Sequence, residues 1–229
     1  MSECTLAVVG TGTGVGKTVV TAGLTGWLRE SGVDALAVKP CQTGHPPDDD
    51  AAFVRVACGD DDAAVCPRHL EPALAPRVAA DREDVALSYE VVRDEAASAL
   101  ATADVGVLEG IGGVRVPLAG DAEVLDLVAD LADVAVVVAR SGLGTLNHTA
   151  LTVDALHDAD VPVTGVVLND YAGDTVAERT NPRELERMTD LSVHALPALA
   201  VDDDPAAAVR GVREHLPATV VPGGDAHLD

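Results

Sequence analysis

Gly10-Thr11-Gly12-Thr13-Gly14-Val15-Gly16-Lys17-Thr18 follows the apolar run Leu6 to Val9 and leads at once into a helical pattern. Glycines in such a turn let backbone N–H groups point inward around an oxyanion, and the helix start adds the positive end of its dipole. Lys17 is placed to reach the β and γ phosphates of a nucleoside triphosphate, and the Thr18 hydroxyl to ligate Mg2+. A strict Walker pattern would put Gly at position 11, where Thr stands. Gly10 takes the first-glycine role with five residues intervening, so the loop is a variant.

Outward from this loop, further short apolar runs occur at Ala35 to Val38, Val105 to Leu108, Val134 to Ala139 and Val163 to Leu168, each followed by a loop and a helical pattern. Runs apolar on both faces and separated by helices describe a parallel sheet covered on both sides. The expected fold is α/β, a doubly wound, mainly parallel sheet of the P-loop NTPase type, in one domain spanning residues 1–229 with a frayed tail at 223–229. Helices are expected at Lys17 to Ser31, Asp50 to Cys58, Ser88 to Ala103, Glu123 to Leu131, Thr145 to Asp158, Pro182 to Asp190 and Pro205 to Leu216. Ligands of an open parallel sheet sit beyond the carboxyl ends of its strands, so chemistry is sought just after each run.

A net charge of -23 repels nucleic acid and anionic membranes over most of the surface and points to small-molecule partners. Of the 15 basic residues only Lys17 and Lys39 are lysines, a lysine-poor, Asp-rich balance suited to solubility at high salt. The four cysteines, Cys4, Cys41, Cys58 and Cys66, have no zinc-ligand spacing and read as free thiols. No signal-type segment and no apolar run of membrane-spanning length is present, so a soluble, cytoplasmic protein is expected.

The remaining strand ends carry a consistent chemistry. Lys39-Pro40-Cys41-Gln42-Thr43-Gly44 places the second lysine where it faces the first, with Thr43 able to share its ligand. Glu109-Gly110-Ile111-Gly112-Gly113 puts a carboxylate at a buried strand end, where a cation is its natural partner, followed by bare backbone donors. Asp50 opens a helix; by itself it reads as surface charge, but an octahedral Mg2+ site holding Thr18 needs carboxylates, and Asp50 is a candidate. Leu143-Gly144-Thr145-Leu146-Asn147-His148 opens another helix and offers a second anion site. Asn169-Asp170 can read an adenine edge, and no guanine-reading Asn-Lys-x-Asp pattern is present, so ATP is preferred over GTP.

Together these segments resemble dethiobiotin synthetase, the ATP-dependent ring-closing enzyme of biotin synthesis, over most of the chain. The resemblance implies that 7,8-diaminononanoate takes up CO2 as a carbamate, which is phosphorylated by ATP before the second amine closes the ureido ring. It implies Lys39, Lys17 and Thr13 as catalytic residues and Thr18, Asp50 and Glu109 as Mg2+ ligands. The ATP contacts it implies are Gly12, Thr13, Gly14, Val15, Gly16, Lys17, Thr18, Val19, Asp50, Glu109, Gly110, Ile111, Gly112, Asn169, Asp170 and Pro197, Ala198, Leu199. Substrate contacts would be Lys39, Thr43, Gly113, Leu146 and Asn147, the last two across a homodimer interface; Leu70 to Pro76 resembles the family's proline-containing substrate loop. Gly14 and Thr43 stand where the family often has an acidic residue and Ser.

Two other readings share the loop. A synthetase of the cobyrinate amidation type would need a glutaminase domain, for which the chain after Asp170 has no room. A partition or positioning ATPase would carry a further lysine early in the loop, where Thr11 stands, and a basic or amphipathic contact surface.

Overall fold

The computed structural model describes residues 4–221, so the expected tail 223–229 lies outside the described residues. In chain order the elements are β1 (Cys4–Gly10), α1 (Lys17–Glu30), β2 (Ala35–Val38), β3 (Gln42–Thr43), α2 (Asp50–Cys58), β4 (Ala64–Val65), β5 (His69–Leu70), α3 (Pro76–Glu83), α4 (Tyr89–Leu100), β6 (Val105–Glu109), β7 (Pro117–Ala119), β8 (Ala122–Glu123), α5 (Val124–Leu131), β9 (Val134–Arg140), α6 (Thr145–Asp158), β10 (Val163–Asn169), α7 (Val176–Thr189), β11 (Val193–Ala195) and α8 (Ala207–His215). Seven strands form the central sheet in the order β11-β10-β9-β1-β6-β2-β4. Every pairing in it is parallel.

The all-apolar strands are explained by where their alternate residues go. Ala7, Val9, Leu108, Val137 and Leu168 pack towards α3, α4, α5, α6 and α7. Their neighbours Leu6, Val8, Val107, Val136 and Val167 pack towards α1, α2 and α8. Each face is therefore closed by helices, as expected for a doubly wound sheet. With few aromatics available, Val, Ala and Leu fill both layers.

Several boundaries differ from those expected. The helix expected from Pro182 begins at Val176, because Thr175 and Glu178 form a capping box: Thr175 Oγ1 accepts from the Glu178 N–H at 3.1 Å and Glu178 Oε2 from the Thr175 N–H at 3.0 Å. Two satisfied end donors outweigh the interior proline, and Pro182 sits inside the helix. The edge strands β4 and β11 are two and three residues long, too short for a periodic signal. Helix α3 buries only Pro76, Ala79 and Ala80, so its sequence lacks a clear apolar stripe. No disulfide joins the four cysteines, and no helix among the described residues is long and apolar enough to cross a membrane.

Helix α1, which starts at Lys17, is seated by close contact with α8. A Cβ on Gly23 would meet Val212 Cγ2 at 2.2 Å and the Ala208 carbonyl oxygen at 2.8 Å, and one on Gly26 would meet Val209 Cγ2 at 2.4 Å. Gly23→Ala is therefore expected to destabilise the protein by ~1–3 kcal/mol through overpacking, despite the gain in helix propensity. Denaturant unfolding checks this: the cost should shrink in a Val212→Ala background, and a more stable Gly23→Ala protein would contradict the packing.

Candidate active site

Sheet register brings the first pair of charges together. Val38 of β2 lies opposite Leu108 of β6, so the next residues, Lys39 and Glu109, leave adjacent strands at the same level. Lys39 Nζ donates to Glu109 Oε1 at 2.8 Å and to the Gly110 carbonyl at 3.2 Å, and pairs with Asp50 Oδ2 at 2.6 Å. Both ends of the strand-end pair are shielded from water, Lys39 at 6% exposure and Glu109 at 2%. Burial alone would lower the Lys39 pKa, but the carboxylates of Glu109 and Asp50 outweigh it and hold the ammonium above the usual lysine range. Burial raises the Glu109 pKa against the pull of Lys39. Asp50 is also opposed by burial, yet Lys39 holds it below its usual value.

The second lysine comes from the loop after β1. Gly14 and Gly16 have φ of 68° and 97°, the left-handed region, and a Cβ on Gly16 would fall 2.1 Å from Asn169 Nδ2. Glycine at 16 is thus required both by its backbone and by the side chain arriving from the end of β10. Lys17 Nζ donates to the Gly12 carbonyl at 2.9 Å, curling across its own loop. An antiparallel bridge between Thr11 and Gly113 ties this loop to the glycines after Glu109, and Arg140 Nη2 donates to the Gly14 carbonyl at 3.1 Å. Burial, and then the neighbouring charge of Lys39, push Lys17 down to about 8, with Glu109 and Asp50 opposing.

The oxygen atoms suit a hard divalent cation. Thr18 Oγ1 donates to Glu109 Oε1 at 2.9 Å, the same oxygen that accepts from Lys39, while Asp50 meets the other side of that ammonium. Hydroxyl and carboxylate oxygens converging with room for phosphate fit Mg2+. Lys39 is the counter-charge of this oxygen set.

These groups open into a cleft of ≈ 730 Å³ beyond the carboxyl ends of β1, β2, β6 and β10. Such a volume accommodates a nucleotide-sized ligand. The chain matches the AAA_26 family, an AAA domain, over residues 4–201. The ATP-dependent dethiobiotin synthetase BioD of Haloferax mediterranei is 61% identical over 211 residues, covering 92% of this chain and 90% of its own length. A protein of the same description from Anaeromyxobacter sp. strain K is 42% identical, with 80% of this chain and 85% of that protein covered. The chain belongs to the dethiobiotin synthetase family. Among solved structures, a ParA family ATPase from Chlorobium tepidum superposes with a TM-score of 0.59 at 15% identity, covering 92% of this chain and 90% of that one. The septum site-determining protein MinD of Pyrococcus horikoshii, complexed with Mg-ADP, gives 0.56 at 18% identity, covering 100% and 93%. At these identities the likeness is one of fold alone.

Within this member of the family, Thr13, Gly14, Gly16, Lys17, Thr18, Val19, Lys39, Thr43, Asp50, Glu109, Ile111, Gly112, Asn169, Asp170 and Leu199 all line the cleft. Gly12 and Gly110 support it through carbonyls that accept from the two lysines, Val15 is buried beneath the loop, and Gly113 holds the bridge to Thr11. Of the segment Pro197 to Leu199 only Leu199 reaches the wall, which continues instead through Val201 and Asp202. Leu146 and Asn147 lie outside the cleft of their own chain: Leu146 packs against the core below α6, and Asn147 faces solvent.

Sequence reading missed Gln42, whose Oε1 accepts from the Asp50 N–H at 3.0 Å and whose Nε2 donates to the Thr43 carbonyl at 2.9 Å. The available signal was an amide four residues beyond the end of β2, inside the Lys39 to Gly44 segment. Asp48 and Asp202 each stand in an acidic run, whose ordinary meaning is solvated surface, and only the fold turns them into the cleft.

If Lys17 holds a phosphate it must be charged, whereas in the free protein it loses that proton at about 8. ATP binding should therefore tighten towards lower pH and weaken as pH rises through this value, with proton uptake on binding above it. Calorimetry in buffers of different ionisation enthalpy measures that uptake; binding with no proton linkage across this range would contradict the assignment.

Proposed function

We propose that this chain makes dethiobiotin from 7,8-diaminononanoate, CO2 and ATP. The observation that carries the mechanism is that the only two lysines in the sequence are both buried in one cleft, at the strand end and loop where a triphosphate terminus would lie.

A neutral amine of the substrate adds to CO2 and loses a proton, giving a carbamate. The carbamate oxygen attacks the γ-phosphorus as the bond to the bridging oxygen breaks, releasing ADP and leaving a carbamic-phosphoric anhydride. The second amine attacks the anhydride carbonyl carbon, phosphate leaves, and the ureido ring is closed. The protein's part is positioning and charge neutralisation. Lys17 and the N–H groups of the loop from Gly12 to Thr18 hold the phosphates. Lys39 moves from the carboxylates to the carbamate and transferring phosphoryl group, with Thr13 beside it and Thr43 contacting the substrate. Thr18, Asp50 and Glu109 would hold Mg2+, which supplies counter-charge to the triphosphate. Asn169 and Asp170, with Leu199, border the adenine.

Among the described residues lining the cleft, Lys17 and Lys39 alone are basic, so the substrate carboxylate needs donors from elsewhere. A homodimer supplies them at the start of α6, from Leu146 and Asn147 of a second copy. This arrangement is supported by exposed apolar residues just before and along α6, Leu143 at 94% and Leu151 at 61%. A cytoplasmic setting, where free thiols persist, completes the reading.

The decisive assay is incubation of the purified protein in high-salt buffer with diaminononanoate, bicarbonate, Mg2+ and ATP, followed by mass detection of dethiobiotin. Product is expected; absence of product with ATP hydrolysis stimulated by DNA or lipid would overturn the proposal. Lys39→Ala should cut turnover by about 10²–10³-fold or more while ATP binding stays measurable. Full turnover in that variant would remove Lys39 from the mechanism.

A further inference from the structure

At the rim of the nucleotide cleft, the short parallel pair β3 and β5 places Gln42 opposite His69 and Thr43 opposite Leu70. His45 extends this pairing by donating its N–H to the Leu70 carbonyl at 3.1 Å, which brings the rings of His45 and His69 to a centroid separation of 4.3 Å. Asp49, capping α2, completes a group in which one ligand atom each from His45, Asp49 and His69 lie within 4.8 Å of one another. We propose that these three residues bind a borderline divalent cation of the zinc class, at a site separate from the hard-oxygen set around Glu109.

The donors are arranged for it. His45 Nδ1 lies 3.0 Å from the Asp48 carbonyl, so the Nδ1–H donates there and Nε2 keeps its lone pair, as in metal-ligating histidines oriented by a backbone carbonyl. Asp49 Oδ1 is used by the Ala52 N–H at 2.8 Å, whereas Oδ2 has only a 3.9 Å approach from Arg55. Tetrahedral zinc, with ligands at about 2.0–2.2 Å, holds its donors roughly 3.4 Å apart, so an ion would draw the group in by little more than 1 Å. His45 and His69 also line a cleft of ≈ 470 Å³ together with Glu71 and Glu83. Glu83 uses one oxygen on the Glu71 N–H at 2.6 Å, leaving the other, or water, as a fourth ligand. Two imidazoles with a carboxylate favour zinc over Mg2+, which prefers oxygen alone. The thiols nearby do not compete: Cys66 Sγ donates to the Arg68 carbonyl at 3.1 Å, and burial pushes Cys41 up to about 12. His45 and Asp49 both lie between Thr43 and Asp50, so a bound ion would staple the turn joining two cleft residues.

The test is calorimetric titration of the full chain with Zn2+ in excess Mg2+, paired with thermal unfolding. One Zn2+ per chain is expected, with a rise in unfolding temperature that additional Mg2+ does not give. His45→Asn and His69→Asn should each abolish that rise and weaken Zn2+ binding by ~10–100-fold or more, since loss even of a supporting group has an effect of that size. Cys66→Ser should leave both unchanged. Absence of Zn2+ binding by the folded protein, binding that survives both histidine substitutions, or binding lost only with Cys66→Ser would each overturn the proposal.

Discussion

The buried carboxylate of Glu109, met on one side by the Lys39 ammonium and on another by the Thr18 hydroxyl, is the interaction around which the cleft is organised. An ionised carboxylate at the end of a strand with 2% exposure is costly unless cationic and hydrogen-bonding partners reach it. The parallel register of β2 and β6 supplies the first by ending both strands at one level. The loop after β1 and the start of α1 supply the second, and the glycines that seat α1 on α8 keep that helix where Thr18 can reach. Fold and site are therefore linked through one desolvated oxygen.

The arrangement is also an economy of charge. On a surface dominated by carboxylates, the two ammonium groups are both withdrawn into the cleft, where low solvent exposure strengthens their action on an anion. They differ in how they are kept. Lys39 is held charged by two carboxylates, whereas among the described residues Lys17 has only the Gly12 carbonyl as a hydrogen-bond acceptor and lies near a second positive charge. One lysine thus rests in an ion-pair network and the other is poised to gain most from an arriving phosphate.

Much of this is legible in the amino-acid sequence. Residues that reach the cleft from strand ends and a glycine loop announce themselves, because the sequence must place a lysine, a glutamate or a glycine where an apolar run stops; Lys39, Glu109 and Gly16 are of this kind. Asp50 could be chosen from its acidic run only through the demands of a cation site, and the structure brings it to Lys39. What could not be read depends on long-range geometry. Gln42, Asp48 and Asp202 have no local pattern that separates them from neighbours. The early start of α7 was hidden by Pro182, whose usual meaning at a helix start was outweighed by the Thr175–Glu178 capping box.

The central claim is that Lys39 exchanges its two carboxylates for the phosphoryl group and carbamate when nucleotide and metal arrive. A crystal structure with Mg2+, a non-hydrolysable ATP analogue and diaminononanoate measures this directly. The account predicts Mg2+ among Thr18, Asp50 and Glu109, with the Lys39 ammonium turned to the γ-phosphate. Lys39 still paired with both carboxylates, and distant from the triphosphate terminus, would contradict it.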